Sequence, residues 1–135
     1  MVTKKWPLVW IFSVVLGDLA VYLVVTLIGF ASHETFQMES LPRMLATFFP
    51  FSAAWLGLAP WLGLYRLEVC QRRSSLVLAI IAAMFSAPAG ALLRALWLGS
   101  PVLPVFALVM AAVSALCMFI WRGVLFVSLR RNREP

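Results

Sequence analysis

Three ionisable side chains stand where the sequence leaves little room for water. Asp18 lies near the middle of an apolar stretch from Trp6 to Ser32, and Arg94 and Arg122 interrupt later apolar stretches. Placing an acid or a base at the centre of a lipid-embedded helix costs about 2.5–3.5 kcal/mol on insertion scales, so such groups are paired or functional. Asp18 therefore calls for a donor elsewhere in the chain. It also heads a polar stripe. Asp18, Tyr22, Thr26, Gly29 and His33 follow at intervals of four, four, three and four, which keeps them near one side of a helix. Such a stripe has two readings. It can be an interior seam whose polar groups satisfy one another, or a wetted path for a proton or small solute. His33 and Glu34 then stand at the external mouth.

Other chemistry finds no foothold. No lysine interrupts the long apolar stretches, and no nucleophile elbow, zinc-protease motif or phosphate loop is present. The adjacent Ser32 and His33 lack a third group to aim the base. Cys70 falls in a basic loop and Cys117 inside the last apolar stretch, a spacing that suits neither a disulfide nor zinc. The expectation is a non-enzyme with no metal and no cofactor.

The elements that hold these residues follow from composition. The chain has 135 residues, 64% hydrophobic and 12% charged, against about 45–50% and about 25% in soluble domains. A chain this small could not hide so much apolar surface from water. The fold class expected is an all-α integral membrane protein, a single transmembrane domain over 1–135. Its four spans fall near 6–31, 41–64, 75–98 and 102–129. Lys4 and Lys5 ahead of an apolar run resemble a signal peptide. The run is longer than the 7–15 residues of a signal core, so a retained span is expected. Pro50 and Pro60 should bend the second span, and Gly99, Ser100 and Pro101 make a tight turn.

Four spans put Lys4, Lys5, Arg66, Arg72, Arg73, Arg130, Arg131 and Arg133 on one side. Arg43 stands on the other, beside Glu34 and Glu39. The positive-inside rule places both termini in the cytoplasm, with the bases meeting anionic lipid heads. The net charge of +6 thus reads as topology, and nucleic acid is not expected as a partner.

Lipid gives helices no hydrophobic reason to associate, so small residues and polar contacts must hold the bundle. Ala83, Ala87, Gly90 and Arg94 share one side of span three, which turns Arg94 toward the interior. Ala53, Ala54 and Gly57 in span two, with Ala111 and Ala115 in span four, are further expected contacts. Counting residues along the helices brings Arg94 within reach of Asp18, so Arg94 is the expected partner. Arg122, nearer the cytoplasm, is the second candidate and could approach Asp18 from below, with snorkelling to the inner headgroups beside Trp121 the slightly preferred reading.

The order of short motifs adds a resemblance. Gly17-Asp18, Ser32-His33, Pro50-Phe51 with Trp55, and Pro60 through Gly63 to Tyr65 are followed by Pro88 with Arg94-Ala95-Leu96. Phe106 and Trp121-Arg122 complete the series. Over nearly its whole length the chain resembles the bacterial membrane-protein family catalogued as domain of unknown function 3054. The resemblance implies a small polytopic protein and brings no activity or ligand. The leading functional expectation is movement of a small solute or proton, with Asp18, Tyr22 and Arg94 along the path. A homo-oligomer is needed because four short spans make a thin wall. The alternative is a structural or accessory subunit that packs against another membrane protein.

Overall fold

The computed structural model describes residues 8–33 and 37–132, whose regular elements are all helices. Helix α1 spans Leu8–Ser32, α2 Leu41–Leu58, α3 Leu67–Cys70, α4 Ser74–Leu98 and α5 Pro104–Arg131, with a single 3₁₀ turn at Met38–Ser40 before α2. Three of them, α1, α4 and α5, are long and apolar enough to cross a membrane. The outward faces agree with that, carrying exposed Phe12, Ile28, Phe85, Leu96, Leu108 and Val127. Contiguous apolar surface on this scale suggests a membrane protein. The expected start of span one at Trp6, together with Lys4, Lys5, Glu34 and Arg133, lies outside the described residues.

The interior is built from small and polar side chains. On α4, Ala79, Ala82, Ala83, Ala87, Ala91 and Ala95 are buried, and α4 packs extensively on both α5 and α2. Gly90 permits a close approach of α4 to α2, since a Cβ there would stand 2.8 Å from the Phe51 ring and 3.0 Å from its Cα. Across from them, Met110, Ala111, Ser114, Ala115 and Met118 form the inner face of α5. Helix α1 is the loosest member. It packs on α2 and α5 and reaches α4 through the Tyr22 hydroxyl, 3.3 Å from Ser86 Oγ.

The second apolar stretch departs from expectation in two ways. Its helix ends at Leu58 rather than running to 64. Pro60 has no N–H to continue the ladder, and residues 59–65 turn back instead. Gly63 makes that reversal possible, with φ of 71°, a backbone region that side chains disfavour. The turn drives Leu64 into the core, where it is fully buried. The expected contacts at Ala53 and Gly57 also fail to form. Both residues are exposed, and nothing lies within 4 Å of the Cβ position at Gly57.

Candidate functional site

The structure separates the polar residues into two groups. The first surrounds Asp18, which is wholly buried. Arg122 Nη2 donates to Asp18 Oδ2 at 2.6 Å, forming an ion pair. Trp55 Nε1 donates to the same oxygen at 2.9 Å, and Trp121 Nε1 donates to Oδ1 at 2.9 Å. Both carboxylate oxygens are thus engaged, by donors from α2 and α5. One side chain on the loosest helix ties it to two others.

Arg122 is 2% exposed and has a second task. Its Nη1 donates to the Leu64 carbonyl at 2.6 Å, and the Cys70 thiol donates to that same oxygen at 3.2 Å. The reversal after α2 leaves this backbone oxygen without a helical partner. A buried, unpaired carbonyl is costly. Arg122 therefore neutralises an acid and satisfies a backbone oxygen at once, a task its planar fork suits. The Trp55 and Tyr65 rings flank the guanidinium at 5.9 and 5.6 Å, and the Tyr65 hydroxyl accepts from Trp55 Nε1 at 3.2 Å. Burial pushes the Cys70 thiol above its ordinary range, opposed by Arg122. The Tyr65 phenol is raised by burial and then by the charge of Asp18.

Gly17 makes room for this arrangement. A Cβ there would overlap the Trp121 ring, 2.0 Å from Cζ2. The Gly-Asp pair in α1 thus works as a unit, in which the glycine admits the indole and the acid receives its N–H.

The second group lies farther along the same stripe. Thr26, Gly29 and His33 of α1, Arg43 and Thr47 of α2, Arg94 of α4 and Phe106 of α5 line a cleft of about 260 Å³. Arg94 Nε donates to Thr47 Oγ1 at 3.0 Å, and its guanidinium lies 4.6 Å from the centre of the Phe106 ring. Thr47 in turn donates to the Arg43 carbonyl at 2.9 Å. Among the described residues no carboxylate pairs with Arg94 or Arg43.

The expected Asp18–Arg94 pair is therefore replaced by Asp18–Arg122, and Arg122 does not snorkel. Arg94 stands level with Thr26 and Gly29, about 12–17 Å along α1 from Asp18. Tyr22 lies between the two groups and bonds Ser86. His33 lines the cleft, whereas Glu34 is outside the described residues. The two indoles on Asp18 were missed from sequence. A usable signal existed, because a buried tryptophan usually finds an acceptor for its N–H, and few acceptors are available. Among the described residues no cluster of His, Cys, Asp or Glu could hold a metal ion.

A family model described as "Protein of unknown function (DUF3054)" matches residues 15–125 of this chain, which belongs to that family. The match takes in both polar groups. No curated protein and no solved structure matches the chain.

Proposed function

We propose that this member of the family is a four-span protein of the cytoplasmic membrane, with both termini inside. Its role is that of an accessory subunit that packs against another membrane protein, rather than a conduit. The fourth span is α2. Its 18 residues reach about 27 Å, close to a hydrocarbon core of roughly 30 Å. Arg66, Arg72, Arg73, Arg130 and Arg131 gather at one end of the bundle, where anionic lipid heads would meet them. Arg43 stands at the other. That asymmetry supports the orientation.

The observation that carries the functional choice is the closed state of Asp18. A proton-carrying carboxylate needs access to water and freedom to change charge. Asp18 is wholly buried, and a guanidinium and two indoles occupy its oxygens. A path through Asp18, Tyr22 and Arg94 draws less support, since Arg94 belongs to a separate cleft. For the accessory role, the support is a shallow groove between α2 and α4. Ala54, Gly57 and Ala89 line it, and it faces outward. Small residues of this kind admit a neighbouring helix closely.

Flux into proteoliposomes across a pH step tests the choice. Wild type and Asp18→Asn should both stay at the level of empty liposomes, with size-exclusion profiles confirming that each is folded. Flux in the wild type that Asp18→Asn abolishes overturns the reading. The docking half is tested by native electrophoresis of membranes solubilised in mild detergent, where the wild type should migrate as a complex larger than one chain and Gly57→Leu as the chain alone. Migration as the chain alone for both would remove that half.

A further inference from the structure

We propose that the cleft at the Arg94 end binds a phosphate-type oxyanion. This goes beyond the accessory role and does not depend on it. Three features build the site. The first is unspent positive charge. Arg43 and Arg94 line one cleft with His33, and among the described residues no carboxylate is paired with either arginine. Two guanidiniums sharing a partly apolar cleft repel each other, and an anion between them removes that cost.

The second is orientation. Arg94 spends only Nε on Thr47, and the Phe106 ring holds its plane. Among the described residues nothing bonds its Nη edge, which can meet two oxygens of one group, the geometry in which arginine recognises phosphate. Thr47 is itself fixed by its bond to the Arg43 carbonyl, so one hydroxyl couples the positions of both arginines.

The third is the wall. Phe30, Phe106, Val109 and Met110 line the rest of the cleft, whose volume of about 260 Å³ suits a small head rather than a large metabolite. A charged end in an apolar-walled cleft fits a phosphate carrying a few carbons. It also fits inorganic phosphate. Arg94 lies about 6 Å before the end of α4 at Leu98, near the depth of lipid headgroups. The same chemistry can therefore arrive from the bilayer as a phosphodiester or from solution as the free ion.

Two measurements on the full chain separate these sources. Purified protein in detergent is titrated with inorganic phosphate, read by calorimetry. The same protein is extracted from bilayers of phosphatidylcholine with phosphatidylglycerol, and retained lipid is counted by native mass spectrometry. Each is repeated with Arg43→Gln and Arg94→Gln. Arg43 is exposed, so its variant keeps the test valid if Arg94→Gln folds poorly. Saturable phosphate binding that weakens about tenfold or more in Arg43→Gln supports a site for the free ion. Retention of phosphatidylglycerol that the variant loses, without a phosphate response, supports a lipid site. Neither phosphate binding nor lipid retention, or no response of either to Arg43→Gln, overturns the proposal.

Discussion

Arg122 and Arg94 enter the helical core from the last two long helices, and their surroundings differ. Arg122 meets a carboxylate, a backbone carbonyl, a thiol and two aromatic rings, and is 2% exposed. Among the described residues Arg94 meets one hydroxyl and one ring, beside an open cleft that holds a second arginine. Charge is balanced within the first group and, among the described residues, left over in the second. Breaking a buried pair costs more than the pair ever contributed, because the survivor is stranded. Arg94, only half-buried, carries less such risk. The contrast teaches that a base in an apolar helix has two uses, and that its partners distinguish them.

The sharpest way to break the comparison is Arg122→Ala. It strands Asp18 and the Leu64 carbonyl together, and should cost about 3–5 kcal/mol. The readout is loss of monodisperse protein and a lower melting temperature in mild detergent. Asp18→Ala with Arg122→Ala should lose less than the two single losses combined, and additive losses would deny the pair. Next comes Gly17→Val, which must displace the Trp121 indole and should cost about 1–3 kcal/mol. A shifted tryptophan emission would accompany the lower melting temperature. Trp55→Phe keeps an aromatic ring but removes one donor and part of a fully buried side chain, for a loss of about 1–3 kcal/mol. At the other group, Arg43→Gln should leave the melting temperature nearly unchanged, within about 0.5 kcal/mol. A large loss there would erase the distinction.

A last test uses pH. Burial raises the Cys70 thiol, so less thiolate exists at any given pH than for an ordinary cysteine. In a Cys117→Ala protein, labelling by a water-soluble maleimide should stay slow near neutrality. It should climb only at a pH above that for a free thiol. A profile at or below the free-thiol range would show the Leu64–Cys70 corner to be open.

Much of this was legible in the residues. Hydropathy located α1, α4 and α5 closely, and an acid in the first apolar stretch announced that a cation must answer it. The partner was misassigned because depth counted along straight helices ignores where each helix begins in the bundle. Arg94 shares its level with Thr26 and Gly29, not with Asp18. The facing of Arg122 was hidden as well, since α5 is apolar on most sides and offers little pattern to orient it. Pro60 promised a bend and delivered an end. Only the fold shows that the following carbonyl turns inward to Arg122, because that contact joins residues 58 apart.

The Asp18–Arg122 bond also joins residues 104 apart in a chain of 135. During synthesis the acid emerges with the first helix and its guanidinium with the last. Until then the guanidinium that answers it in the finished fold is missing. Completion of the final helix is thus the moment of commitment. A nascent chain stopped before it would display an unanswered acid, a mark by which membrane quality control could tell unfinished molecules from finished ones.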